Sequence, residues 1–536
     1  MAFSSQKVLN IGRKLSNEEM PDMYLAYDLK NGTEYAKLCT SHWKNGKDRK
    51  TYINLGRVID KEKHIFRNRA RGVFSYDIET DTYTPVETIE KSESNVILSP
   101  SLILNFGDVW FIDQFIKTEG LDKVLECIPD DLRDTFSSLV CFYILNHLGL
   151  YHAQDWFENS AASILYPDAD LRSQRISEQL AALGEEELWR KFFKQYFLYL
   201  KTIPGDETKV LIDSTGLPNS IHFPLTGVSN HNGKISNEIR LIFVTEQETG
   251  MPVYMRYVNG TIPDVSTVDV TFKELSKEGI VPSYVLMDAG YYSEKNVQIL
   301  HRDKIDFVCR MKENLVLFKE LCGRHSGELE QRQNLVKFNR RLAYIRKEPV
   351  KLALGIDGFE YICMDISRRA IETQKILDRI DPKADLDDGI YDDLESKGLF
   401  VLVSSTDIPE ADILPVYYTR QEIEQAFDVS KNYASALPVR TQSEETFRGH
   451  LFITFVATSI LKRLQYRLIH EQKKRDKNLN PVTVLQNLGY QHGSLYEDKL
   501  IVEEANSKAN QAYRLFGIES PKEVDASRLV RKKSGN

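Results

Sequence analysis

The sequence predicts an α/β fold built on a mixed sheet, with a small basic β-rich domain and a helical domain ahead of it. Three observations lead there. Between residues 206 and 312, apolar runs of strand length alternate with amphipathic helical runs in the order β-β-β-α-β-α-β. Short β-like runs with turn signals fill residues 20–90, whereas residues 112–203 carry apolar side chains at i, i+3, i+4 spacing. Regular order lapses near residue 313 and resumes with the strand-like "GLFVLVSS" (398–405), so a β-rich insertion interrupts the sheet-forming segment.

At 536 residues the chain is too long for one core. The expected domains are a basic β-rich module (1–110), a helical domain (111–205), a core in two parts (206–312 and 397–480) around an inserted module (313–396), and a C-terminal tail (481–536). With 42% hydrophobic and 28% charged residues, wholesale disorder is excluded. The six cysteines, Cys39, Cys127, Cys141, Cys309, Cys322 and Cys363, form no CxxC pair, which argues against a zinc site and suits a reducing cytosol. The longest apolar run, "LFITFVATSIL", is too short for a bilayer and is expected to be a buried helix, and the amino terminus has no apolar signal segment. A cytoplasmic protein with no membrane contact is expected. The net charge of −8 is uneven: residues 42–72 and 461–477 are strongly basic, and residues 381–398 are acidic. Two basic patches in an acidic chain favour an anionic polymer as partner.

In chain order, "KVLIDSTG" is a buried strand expected to end at Asp213, and "EIRLIFVTEQETGMPVYMRYVNG" is two strands joined by a turn at Gly250. "VSTVDVTFKELSKEG" is an amphipathic helix, "SYVLMDAG" a buried strand ending at Asp288, "SEKNVQILHRDK" a helix and "DFVCRMK" a strand. The insertion holds a strand pair, "RLAYIRKEPVKLALG" and "GFEYICMDISRR".

In "PVYYTRQEIEQAFDVSKN", residues Tyr417, Arg420, Glu424 and Lys431 fall at gaps of three, four and seven. On a helix these gaps bring all four side chains within about 60° of one another. Val416, Ile423 and Phe427 form an apolar stripe that seats the helix on a core. An Arg420–Glu424 pair is also what an ordinary solvated helix carries. Asp213 and Asp288 change the balance, because with Glu424 they can bring three carboxylates to one point. Carboxylates so crowded raise one another's pKa unless a counter-charge is present. Oxygen donors suit Mg²⁺ or Mn²⁺, and two ions about 3.5–4 Å apart suit phosphodiester chemistry.

These residues resemble the DDE transposases of bacterial insertion sequences, in particular the subgroup with a Tyr-x2-Arg-x3-Glu-x6-Lys signature, which "YYTRQEIEQAFDVSK" fits without a gap. The likeness extends to "LIDSTGL", "DAGYYSEKN", "ETGMPVYMRYVNGTIPDVST" and "RTQSEETFRGHLFITFVATSIL", over roughly residues 205–470. The resemblance implies an RNase H-like catalytic core interrupted by the insertion. It implies Asp213, Asp288 and Glu424 as catalytic residues and ligands of two Mg²⁺ (or Mn²⁺) ions, and Tyr417, Arg420 and Lys431 as DNA-binding residues near the cleaved end, receiving a base flipped from the stack. The expected reaction nicks the transposon end with water and then uses the 3′-OH to attack the other strand or the target. Expected partners are double-stranded DNA, as terminal inverted repeats and target DNA, and a second copy of the chain in a homodimeric synaptic complex on the nucleoid. The basic module and the helices of 112–203 would recognise the repeats, with Asn45, Arg49 and Arg67 as candidate base readers.

The sequence departs from the family at one point. Better-known members stack a tryptophan of the insertion on the flipped base, whereas Trp43, Trp110, Trp156 and Trp189 all lie upstream of the core. Tyr344, Phe359 and Tyr361 are the candidate substitutes. The competing readings are a catalytically silent DNA-binding relative and a nuclease that cleaves without joining.

Overall fold

The computed structural model describes residues 22–30, 33–44, 47–86, 100–219, 223–231, 234–325, 328–378, 388–433, 441, 443–471 and 479–534. The chain divides into two compact units, Met1–Leu98 and Ser99–Asn536.

In the first unit, strands β1 (Asp22–Lys30), β2 (Thr33–Lys44), β3 (Lys47–Asp60), β4 (Ile65–Asn68), β5 (Gly72–Asp77) and β6 (Thr82–Pro85) form an antiparallel meander in sequence order among the described residues. Its core is small: Ala36, Leu38, Leu55, Phe66, Phe74 and Tyr76. Gly56, at φ 106°, lies where the β2–β3 register shifts, and a Cβ there would meet the Arg67 carbonyl oxygen at 2.2 Å. Beyond that core, β3 exposes every side chain from Lys50 to Asn54, so this stretch is solvated on both faces. Arg67 is exposed on β4, while Asn45 and the Arg49 and Trp43 side chains fall outside the described residues.

The second unit is built on β8 (Lys209–Pro218), β9 (Gly227–His231), β10 (Lys234–Glu246), β11 (Pro252–Asn259), β12 (Tyr284–Met287), β13 (Asp306–Arg310), β14 (Leu335–Phe338), β15 (Arg341–Ala353), β16 (Ile356–Asp365) and β17 (Leu399–Ser404), preceded by β7 (Leu102–Asn105). Among the described residues they form a mixed sheet ordered β11-β10-β8-β12-β13-β17-β16-β15-β14, with β9 on β10. β8, β12 and β13 run parallel, and β10 and β11 fold back antiparallel through the turn at Gly250 (φ 67°). The insertion's strands extend this same sheet through β17.

The run "LFITFVATSIL" is buried throughout, within the helix Glu444–Glu471. The helical region packs on it: Phe136 and Phe192 lie 5.5 and 4.7 Å from Phe452 by ring centroid, and Phe193 lies 5.1 Å from Phe455. Helical region and sheet thus share one apolar core, because the long helix offers apolar side chains on every side.

The expected tail from residue 481 is folded instead. Strands β18 (His492–Tyr496), β19 (Lys499–Val502) and β20 (Glu523–Asp525) form a sheet ordered β20-β19-β18-β7, flanked by the helices Pro481–Leu488 and Ser507–Phe516. Phe516 packs edge-on against Phe111 and Phe115, 5.3 and 5.4 Å away. "RLVRKKSGN", expected as a solvated end, begins within the helix Ser527–Ser534. Each of these elements is short, and the sheet closes only through β7 at the other end of the unit, so no local pattern announces it.

Candidate active site

Apolar "VLI" and "VLM" bury β8 and β12 in the sheet and carry an aspartate just past each run. The parallel pairing ends at Ile212↔Met287, so Asp213 and Asp288 follow side by side on adjacent strands about 4.8 Å apart. Asp213 does not end its strand, as the sequence suggested. β8 continues to Pro218 because β10 pairs with it over Val210–Pro218; only the β12 side falls away.

The Ser214 N–H donates to Asp213 Oδ1 at 2.8 Å. Burial pushes the Asp213 carboxyl up to about 7; the Arg420 guanidinium pulls against this, and Asp288 and Asp264 add to it. Burial also works to raise Asp288, but there Arg420 prevails and the carboxyl lies below its ordinary value.

The signature segment is not one continuous helix. It comprises the helix Glu410–Tyr418, a turn at Thr419 and Arg420, the helix Gln421–Asp428 and a π-turn at Val429–Tyr433. At the junction, Arg420 N–H donates to Tyr417 O and Glu422 N–H to Thr419 O, a tighter i→i−3 pattern. Pro415, which lacks an N–H, lies inside the preceding helix. Ile423 is fully buried and Phe427 packs 5.9 Å from Phe243, so the expected apolar stripe does seat the segment on the sheet.

Arg420 is the centre of the arrangement. Its Nη1 lies 2.8 Å from Asp288 Oδ1, and its Nη2 donates to Glu424 Oε1 at 2.5 Å. The Tyr417 hydroxyl donates to the same Asp288 oxygen at 3.4 Å, and burial raises the phenol's pKa. Glu424 is half exposed. Lys431 donates to Thr215 Oγ1, two residues beyond Asp213 and on the same face of β8. Burial lowers the Lys431 ammonium's proton affinity, against the pull of Glu238. Tyr417, Arg420, Glu424 and Asp288 therefore form one contact set, with Lys431 apart, further along β8.

Among the described residues, no group of three histidines, cysteines or acids is arranged to hold a metal ion. The donor chemistry nevertheless fits a hard divalent cation. Asp213 and Asp288 offer only carboxylate oxygens on neighbouring strands, and Asp213 is half-buried beside like charge. Glu424 is bonded to Arg420 instead.

Sequence reasoning missed two groups. On the opposite face of β8, Asp264 Oδ1 accepts from Ser214 Oγ at 2.5 Å and from Arg240 Nη1 at 2.9 Å, fixing the residue next to Asp213. Asp264 lies in "TIPDVST", but nothing in one sequence separates it from a turn former. The second group lies at the β14–β15 turn. Phe338 stacks on Tyr418, centroids 5.2 Å apart and planes 16° from parallel. Asn339, Arg340, Arg341 and Gln421 complete a hollow of about 380 Å³ with them. Of the three candidate aromatics, Tyr361 is fully buried and its hydroxyl donates to Ile408 O at 2.6 Å, so it offers no face to a base. Phe359 carries the Lys347 ammonium 5.0 Å from its ring, and Tyr344 is half-buried on β15.

The basic stretch 461–477 also differs from expectation over its described part. Lys462 is buried with its Nζ 3.0 Å from Glu422, and Arg463 Nε lies 2.6 Å from Glu119. These cations hold the fold together rather than facing a polymer. Among the described residues, no helix is long and apolar enough to cross a membrane.

A solved structure of a piggyBac transposase synaptic complex with hairpin DNA is similar over 80% of this chain and 84% of its own, at 13% identity and a TM-score of 0.36. No curated protein matches the chain. Residues 204–460, the span that carries Asp213, Asp288 and the signature segment, match the family described as the transposase DDE domain, and that match supports a DDE transposase.

Proposed function

We propose that this chain is a DNA transposase of the bacterial insertion-sequence kind, with Asp213, Asp288 and Glu424 as its catalytic acids. One observation carries the reading: the parallel register brings Asp213 and Asp288 together, and Arg420 ties Asp288 to Glu424. The strand order β11-β10-β8-β12-β13, antiparallel then parallel, supports an RNase H-like core. Two divalent cations, Mg²⁺ or Mn²⁺, would be held by the three carboxylates and would supply Lewis-acid activation of the attacking and leaving oxygens.

The chain's own groups bind and orient the DNA. Arg420 offers a planar fork that fits a phosphate bidentately, Lys431 a point charge further along the strand, and Tyr417 a hydroxyl beside them. The Phe338–Tyr418 stack, rimmed by Arg340 and Arg341, presents an aromatic face for an unstacked base next to these clamps. In the amino-terminal unit, the exposed stretch Lys50–Asn54 of β3 borders β2, which pairs in turn with β1, and its solvated side chains offer a surface for DNA. Binding of terminal inverted repeats by that unit, and a homodimeric synaptic complex in the cytoplasm, complete the proposal.

The test uses purified protein with Mg²⁺ and duplexes ending in the inverted repeat that flanks the gene. Metal-dependent nicking at the repeat boundary and joining to a second duplex, both lost in Asp288→Ala, is the expected result. Nicking without joining would leave a nuclease. Binding without cleavage in either Mg²⁺ or Mn²⁺ would leave a catalytically silent relative.

A further inference from the structure

The cation that now neutralises the acids is Arg420, and it does so through the oxygens a metal would need. Its two terminal nitrogens reach Asp288 Oδ1 and Glu424 Oε1, with the guanidinium largely shielded from solvent. A divalent ion has to compete with the guanidinium for those oxygens. A phosphodiester presents the same planar pair of acceptors as a carboxylate, so a bound DNA strand competes for Arg420 on equal geometric terms.

We propose that Arg420 is a positioning residue that couples metal binding to DNA binding. Without DNA it holds Asp288 and Glu424 together as a substitute counter-charge and keeps metal affinity low. When a backbone phosphate takes the guanidinium, the two carboxylates are released and the metal site is completed. Linkage makes the effect reciprocal: DNA tightens metal binding by the same factor as metal tightens DNA binding. A free enzyme would then carry little metal, and the hydrolytic site would assemble only on a strand. This inference rests on the proposed metal-dependent function.

The test is a Mn²⁺ titration followed by electron paramagnetic resonance, which reads occupancy rather than turnover. Wild type, Arg420→Gln, Arg420→Lys and Asp288→Asn are compared without DNA and with a 40-base-pair duplex, Mn²⁺ bound by the duplex alone being subtracted. Without DNA, Arg420→Gln is expected to bind Mn²⁺ about tenfold more tightly than wild type, with Arg420→Lys between them. The duplex should tighten binding to wild type and leave Arg420→Gln unchanged. Asp288→Asn should lose the site in every case. Equal Mn²⁺ affinity in wild type and both Arg420 variants would overturn the coupling while leaving the metal site standing. If no protein shows an Asp288-dependent Mn²⁺ site, with or without duplex, the metal-dependent reading itself falls.

Discussion

Gly184 and Gly449 face each other where two helical segments cross. A Cβ on Gly449 would lie 1.9 Å from the Leu180 carbonyl oxygen, and one on Gly184 would lie 1.9 Å from that of Glu445. The backbones touch, and Arg448 seals the crossing by donating from Nε to Gly184 O. Gly449→Ala has to push the helix Glu444–Glu471 away from the helix Ser173–Leu183, and overpacking of this kind costs about 1–3 kcal/mol or more. Urea denaturation should show that loss. Gly323→Ala is the control: its Cβ meets nothing, it lies in the helix Val316–His325, and a gain of about 0.5–1 kcal/mol is expected.

Glu360 on β16 is 1% exposed, lies directly across from Glu348 on β15, and is pushed up to about 7, first by burial and then by that neighbour, against the pull of Arg324. The fold favours its protonated form, while the unfolded chain ionises it near pH 4. Its contribution is therefore harmless below about pH 4 and grows into a penalty as pH rises towards about 7. Glu360→Gln should match wild type in stability at pH 4.5 and exceed it by about 2 kcal/mol at pH 8. A constant difference across that range would contradict the shift.

Glu119 is 3% exposed and accepts from Arg463 Nε at 2.6 Å and from Arg467. Glu119→Gln leaves two guanidinium groups without their shared counter-charge in a low-dielectric setting. A loss of about 3–5 kcal/mol is expected in denaturant titrations. Arg463→Ala should likewise lower stability without changing the salt dependence of DNA binding, since this cation is already engaged inside the protein.

Phe338→Ala removes half of the stack beside the signature segment but leaves the carboxylates in place. Stacking of one base is worth about 1–3 kcal/mol, so binding of a duplex with an unpaired terminal base should weaken about tenfold or more. A blunt, fully paired duplex should bind the variant as it binds wild type. Equal losses on both substrates would instead mean that the turn at Asn339 had been disturbed.

The parts of this molecule legible in the sequence are those whose signal is local. Asp213 and Asp288 stand out because each follows a three-residue apolar run, and Glu424 because Arg420 lies one turn before it. The second partner of Arg420, Asp288, lies far upstream, and only the strand register brings it within reach. Lys431 illustrates the opposite limit. A uniform 100° per residue put it beside Glu424, but a tight turn at Arg420 and a π-turn at Val429–Tyr433 alter the winding, and it bonds Thr215 instead. The basic stretch after residue 461 misled because charge counts carry no partner information: Glu422 and Glu119, which claim Lys462 and Arg463, come from other elements. Phe338 escaped notice because its importance arises from Tyr418, which only the folded β14–β15 turn brings against it.

The pairing of β7 with β18 sets an order of events during synthesis. Asn105 must wait for His492, roughly 390 residues later, which at about 5–20 residues per second takes roughly 20–80 s. Until then Leu104 and Phe106 have no strand to close against, although they belong to the same apolar core as the sheet that carries Asp213 and Asp288. A ribosome that stops short of β18 releases a chain carrying all three acids and the whole signature segment but lacking its closing strand. The second unit therefore completes this sheet only when nearly the whole chain has been made.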